Sequence, residues 1–264
     1  MAGEQSYKGK LAIITGGASG LGLALANHLA AQGATPVLLD IHHADTPYHL
    51  EVCDTTDAAS LAETVAKIEA THGPIDLAIA NAAIDLTGEA HTFDAHDWRA
   101  IINTNLIGAT NLVAAIYPEM VTRSSGQILL ISSGAGLIGF PLGAPYTASK
   151  AGLIGLGKAL RAEAARYGVM VNVACPPILE TPLLTTGKAK PGINRAAFIA
   201  SLSKKPMPAD KTAQFILRGA ARNTPEIVFP FQLRLGNRLA ALFPGFGNLI
   251  RAGILKKFDK HGRS

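Results

Sequence analysis

Cysteine is almost absent from these 264 residues: Cys53 and Cys175 stand alone, with no metal-ligand spacing around them. A disulfide framework and a cysteine-ligated zinc site are thereby excluded, and both residues fall in apolar, strand-like runs that suit reduced core thiols. Aromatic residues make up only 6%. They are not interleaved with basic residues in any recognisable module, so no nucleic-acid partner is expected. No run reaches the roughly 20 apolar residues of a membrane span, and the opening MAGEQSYKGK lacks the apolar core of a signal peptide. The expectation from these absences is a soluble, cytoplasmic protein. Acid is missing from one place in particular. Residues 232–264 hold seven Lys/Arg against the single acid Asp259, whereas residues 1–231 hold 17 and 18, so the formal net charge of +5 belongs to the tail.

What is present is a chain 48% hydrophobic, enough to bury a substantial core. Residues 10–41, KLAIITGGASGLGLALANHLAAQGATPVLLDI, read as an apolar strand, a glycine-rich turn, a helix and a second strand ending at Asp40. Further apolar strand patterns fall at 49–53, 77–81, 127–132, 170–174 and 227–229. Helical patterns fall at 57–72, 94–120 with Asp94 as N-cap, 145–167 and 209–223. Strands alternating with helices predict an α/β fold: a doubly wound parallel sheet of about seven strands, a Rossmann fold, with helices on both faces. Without repeat or linker, residues 1–264 read as a single domain. Residues 177–208, rich in Pro, Lys, Thr and Gly, are the least regular stretch and read as a long loop, a substrate flap.

Thr15–Gly22, TGGASGLG, follows a strand and opens a helix, the context in which free helix N–H groups and missing Cβ atoms let a diphosphate approach. Gly16, Gly20 and Gly22 are the candidate contacts, with Ser19 and Leu21 beside them. Asp40, about 20 residues on, is placed to accept from the adenosine ribose hydroxyls and to repel a 2′-phosphate. With Ser19 rather than a basic residue before Gly20, and Ile41 after Asp40, NAD is favoured over NADP. If Pro145 opens a helix, Tyr146 and Lys150 stand one turn apart on one face, where an ammonium can acidify a phenol. Each feature alone has a plainer explanation: a packing turn, a turn-capping Asp40, or an exposed helical pair at Tyr146 and Lys150.

Taken together, TGGASGLG, ANAA at Ala80–Ala83, NTNLIG with Asn105, ISSGAG with Ser133, and YTASK resemble the ordered motifs of the short-chain dehydrogenase/reductase family, in its compact single-domain branch. The resemblance spans residues 10–229. It implies an NAD-dependent oxidoreductase acting on a CH–OH group, with Tyr146 as general acid/base. Lys150 would lower the tyrosine pKa and hold the nicotinamide ribose, Ser133 would bond the substrate oxygen, and Asn105 would position a relay water next to Lys150. It further implies that Asp54 meets the adenine amino group, that Asn81 braces the central strand, and that Pro176 and Thr181 border the nicotinamide. A homodimer or homotetramer, paired through 94–120 and 145–167, is implied as well.

Three departures stand out: Ala83 where the family has glycine, Pro177 where it has glycine after Pro176, and too short a span between Asp40 and Asp54 for a crossover helix. They leave open an idle NAD-binding scaffold, and an NADP-linked reductase remains the other alternative. Leu137, Ile138, Phe140 and Leu142, with Leu183, Leu184, Phe198 and Ile199 of the flap, suggest apolar walls for a small hydrophobic alcohol or ketone, although Lys188 or Lys190 could meet a charged one. The basic, apolar tail at 231–264 reads first as packing on the pocket or a partner subunit, and second as a peripheral membrane contact.

Overall fold

The computed structural model describes residues 6–203 and 205–263. The chain runs through β1 (Leu11–Thr15), α1 (Gly20–Ala31), β2 (Thr35–Asp40), β3 (His49–Val52), α2 (Ala58–His72), β4 (Leu77–Ala80) and β5 (Leu86–Thr87). It continues with α3 (Ala95–Ile102), α4 (Gly108–Thr122), β6 (Gly126–Ile131), α5 (Gly134–Ile138), α6 (Ala144–Ala164), β7 (Val169–Cys175), β8 (Leu179–Glu180), α7 (Pro182–Thr186) and β9 (Lys188–Ala189). The last elements are α8 (Arg195–Leu202), β10 (Met207–Pro208), α9 (Ala209–Ala221), β11 (Glu226–Val228), α10 (Phe231–Leu242) and α11 (Pro244–His261).

Seven strands form one sheet in the order β11-β7-β6-β4-β1-β2-β3, every pair parallel. Strands β1, β4 and β6 are buried at every position, because helices cover both faces and leave no solvated side to alternate toward. One face packs against α2, α4 and α6 through Leu61, Val65, Leu112, Ile116, Leu153 and Leu160. The other packs against α1 and α9 through Leu25, Leu29, Ile216 and Leu217. The strand order reverses between β1 and β4, which opens a crevice at their carboxyl ends.

The connection from β2 to β3 has no helix, as its length required. Residues 41–48 run back along a strand of about 20 Å, a distance that eight extended residues, reaching about 26 Å, can span. The neighbouring helices are capped by side chains: Asp57 accepts from the N–H groups of Ala59 and Ser60, and Asp94 and Asp97 form a capping box.

Two expectations need correction. The helical stretch at 94–120 is two α-helices joined by a π-helical turn, residues Asn103–Ile107. Across the whole run, Ala95–Thr122, an 18-residue window reaches a mean hydropathy of 1.3, long and apolar enough by composition for a span. Its apolar face, however, is the one laid on the sheet through Leu112, Ile116 and Met120. Residues 177–208 are not irregular either. They hold α7, α8 and three short strands, with β8 paired to β10 and β9 paired to β5.

Candidate active site

The crevice at the carboxyl edge of the sheet is a single cavity of about 800 Å³. The glycine turn after β1 forms its floor. Gly16 takes φ +60°, and a Cβ on Gly22 would lie 2.2 Å from the Gly16 carbonyl oxygen, so this tight turn into α1 admits no side chain there. Asn81, just past β4, ties the turn to the sheet: its Nδ2 donates to the carbonyls of Thr15 (2.9 Å) and Gly16 (3.0 Å), and its own N–H donates to Thr15 Oγ1.

Asp40 ends β2 beside the turn. Its carboxylate accepts from the N–H of Ala18 (3.1 Å) and of His42 (3.3 Å), which leaves lone pairs for two more donors. Ser19, Leu21, Ile41 and Asp54 line the same end of the cavity, where Ile41 is 57% exposed. Asp54 accepts from the N–H and hydroxyl of Thr56. A backbone cradle that a Cβ would fill, backed by a carboxylate with free lone pairs, fits the diphosphate and ribose of a nicotinamide dinucleotide.

The other end of the cavity brings together Tyr146, Ser133, Lys150, Pro176, Pro177 and Thr181. Ser133 caps α5, its Oγ accepting from Ala135 N–H, and it stands near enough to Tyr146 to favour the phenolate. Lys150 is buried, with Nζ donating to the Ile131 carbonyl at 2.9 Å and lying 5.6 Å from the centre of the Tyr146 ring. Burial lowers its pKa to about 8, against the smaller opposing influences of Cys175 and Asp85. Burial raises the Tyr146 pKa above its ordinary value, Asp85 adds to the rise, and Ser133 opposes it. The direction therefore differs from the acidification expected of Lys150, because burial outweighs the other influences on the phenol and Asp85 sets a negative charge near it.

Asn105 lies in the π turn, 1% exposed. Its Nδ2 donates to the Ile84 carbonyl and to Ser149 Oγ, and its Oδ1 accepts from Ile84 N–H. Those bonds make the side chain a brace between α6 and the segment after β4. Neither departure closes the crevice: Ala83 and Pro177 both line it, and Ala83 is not among the described residues with positive φ. Thr181 and Pro182 of the flap sit over Gly20, where an added Cβ would meet them at 3.3 and 3.2 Å.

Apolar walls come from Ile138, Phe140, Leu142, Leu183, Leu184, Phe198 and Ile199. Leu137 instead packs into the main core. Lys188 is exposed and Lys190 pairs with Asp97, so neither lines the cavity. Sequence reasoning missed three features. Ser132 Oγ donates to the Lys150 carbonyl at 2.7 Å and locks α6 to β6. Arg195 of α8 pairs with Asp85 at 3.1 Å and also donates to Thr87 Oγ1 and to the carbonyls of Leu183 and Leu184. Leu233 of the tail and Pro230 just before it reach the cavity wall. Asp85 follows the Asn81 turn and could have been suspected on that ground. Arg195, 110 positions away, carries no local signal.

Residues 10–191 match the family model for short chain dehydrogenase. The chain belongs to the short-chain dehydrogenase family. This short-chain dehydrogenase is 35% identical over 191 residues to the 3-oxoacyl-(acyl-carrier-protein) reductase FabG of Thermotoga maritima, covering 67% of this chain and 76% of that protein. It is also 35% identical over 183 residues to the acetoacetyl-CoA reductase of Shinella zoogloeoides, covering 66% and 76%. The ligand-free aldohexose dehydrogenase of Thermoplasma acidophilum shares its fold, with a TM-score of 0.74 at 24% identity over 85% of this chain and 93% of that one. The family is one of oxidoreductases acting on CH–OH groups with a nicotinamide dinucleotide.

Proposed function

We propose that this short-chain dehydrogenase interconverts a secondary alcohol and a ketone on a hydrophobic substrate and uses NAD(H). The observation that carries the reading is one cavity with the glycine turn and Asp40 at one end and Tyr146, Ser133 and Lys150 at the other. Gly16, Ser19, Gly20, Leu21, Gly22, Asp40, Ile41, Asp54 and Asn81 would hold the adenosine and diphosphate, and Lys150, Pro176 and Thr181 the nicotinamide half. The bound dinucleotide would supply the hydride acceptor or donor.

In the oxidative direction Tyr146, as phenolate, takes the carbinol proton; in reduction its hydroxyl gives that proton to the carbonyl oxygen. Ser133, beside Tyr146, bonds the same substrate oxygen and favours the phenolate. Lys150 is an ammonium below about pH 8 and supplies positive charge beside the ring. Asn105 keeps α6, and with it Tyr146 and Lys150, in place. The apolar walls exclude water and select a substrate with little charge. The buried, unpaired thiols of Cys53 and Cys175 support a reducing, cytoplasmic setting, and family resemblance supports a homodimer or homotetramer.

A second reading concerns substrate: two relatives are named for reduction of 3-oxoacyl and acetoacetyl thioesters, whose acyl chains would suit the same walls. The deciding experiment titrates NAD and NADP separately, then follows cofactor absorbance over a panel of lipophilic alcohols, ketones and 3-oxoacyl thioesters. NAD binding with turnover on an apolar alcohol or ketone is expected. Asp40→Ala should narrow the preference for NAD. Equal use of both cofactors by the unaltered protein would overturn the NAD assignment, and NAD binding without turnover on any member of the panel would mark an idle scaffold.

A further inference from the structure

Four large apolar side chains among the described residues are more than 60% exposed, and all four lie in the tail: Phe231 (70%), Leu242 (72%), Phe243 (61%) and Leu249 (71%). Their placement is regular. Phe231 and Leu242 follow one stripe of α10 with the exposed Leu235, at i, i+4 and i+11, within about 40° of each other on a helical wheel. Phe243 joins α10 to α11, so Leu242, Phe243 and Leu249 flank the bend between the two packed helices. The opposite side of each helix is used within the molecule. Leu233 of α10 lies against Gly134, and Ile254 and Phe258 of α11 pack with Phe198 and Leu142. The exposed stripe is therefore left over after the tail has docked on the cavity wall.

Charge identifies what would cover it. Arg251 bonds the Ile138 carbonyl, and Arg263 pairs with Glu89 and Asp259. The other five basic residues of the tail, Arg234, Arg238, Lys256, Lys257 and Lys260, have no ion pair among the described residues. A second copy of this chain would set one cationic surface against another, which opposes self-pairing. Exposed leucine and phenylalanine ringed by unpaired Arg and Lys match a bilayer with anionic headgroups: the apolar groups enter the headgroup boundary and the bases meet the phosphates.

We propose that the α10–α11 pair docks this protein on an anionic lipid surface. Leu233 of α10 and Pro230 just before it line the substrate cavity, so docking sets that wall beside the bilayer, whatever the substrate proves to be.

The full-length protein is floated with phosphatidylcholine vesicles, with and without phosphatidylglycerol. Binding is expected to the mixed vesicles, to weaken as salt is raised, and to be slight for phosphatidylcholine alone. Leu242→Asp/Leu249→Asp should weaken binding by about tenfold or more, and so should Arg238→Glu/Lys256→Glu/Lys257→Glu. Both variants should keep the unfolding temperature and NAD affinity of the parent. Absence of binding to phosphatidylglycerol vesicles overturns the proposal. So does undiminished binding by both variants, or a dimer that dissociates on Leu242→Asp/Leu249→Asp without any lipid binding. None of these readouts uses turnover, so a failed substrate assignment leaves the test intact.

Discussion

One wall of the cavity is built of strand ends and the turns that leave them: Gly16 after β1, Asp40 at the end of β2, Asn81 after β4 and Ser133 after β6. The opposite wall is carried by α7, α8 and the first turn of α10, elements that lie outside the main sheet. The first wall is held by buried parallel strands and by the hydrogen bonds that Asn81 donates to the hydroxyl and carbonyl of Thr15. The second rests on a small apolar cluster of Leu142, Phe198, Ile254 and Phe258 and on Arg195 reaching to Asp85. The family match ends at residue 191, before α8 begins. The stiff wall thus lies inside the family match, whereas of the lightly tied wall only α7 does. A wall held by few contacts opens at lower free energy than the sheet it leans on.

The largest expected effect isolates the stiff wall. Tyr146→Phe should lower turnover by about 10²- to 10⁴-fold while cofactor affinity, measured by titration, stays near the parent value. Near-normal turnover would remove Tyr146 from the proton step. On the other wall, Phe198→Ala deletes the centre of the small cluster, a change of about 3–5 kcal/mol for a buried phenylalanine. If the two walls are separable, hydrogen exchange should speed up in α8 and α11 and KM for an apolar substrate should rise, with NAD affinity kept. A single cooperative loss of everything would break the comparison.

Lys150 tests the stiff wall from the stability side. Its pKa is about 8 in the folded protein against the ordinary 10.5, so between those values the unfolded chain binds more protons and stability rises with pH. Below about pH 8 the buried ammonium opposes folding. Lys150→Met should therefore raise the melting temperature at pH 7, by about 2–4 °C for each kcal/mol relieved, and flatten its rise between pH 8 and 10.5, while turnover falls. A lower melting temperature would show that the Ile131 hydrogen bond outweighs the burial of charge.

Asp85→Asn probes the link between the walls. Asp85 holds the Tyr146 pKa up, so its removal should move the rise of the alcohol-oxidation rate to lower pH. An unmoved profile would show that Arg195 already cancels that charge. The smallest effect is a control far from the cavity: Asp94→Ala removes the cap of α3 and should cost about 1 kcal/mol, read by chemical denaturation, without changing KM.

Much of the stiff wall was legible in the chain. Glycines between a strand and a helix, an aspartate at the next strand end, and a tyrosine and lysine one turn apart are local patterns, and the strands and helices that carry them formed nearly where periodicity placed them. The lighter wall was harder to read because its organisation is non-local. Proline, lysine and threonine in residues 177–208 suggested a loop, yet the segment is ordered by pairings of β8 with β10 and β9 with β5. The π turn that carries Asn105 and its bonds to Ile84 and Ser149 were equally hidden, because they depend on α6 packing alongside.

By itself the sequence determined the alternation of strands and helices, the glycine turn, the carboxylate beside it, and the placing of Tyr146 and Lys150 on one helical face, because each depends on residues within a few turns of one another. Tertiary structure alone decided that Lys150 would point to the Ile131 carbonyl, that Asp85 would meet Arg195, and that the tail would bury one face against the cavity while leaving phenylalanine and leucine outside. Those outcomes depend on which distant surfaces exclude water from each other, and no local pattern of residues encodes that.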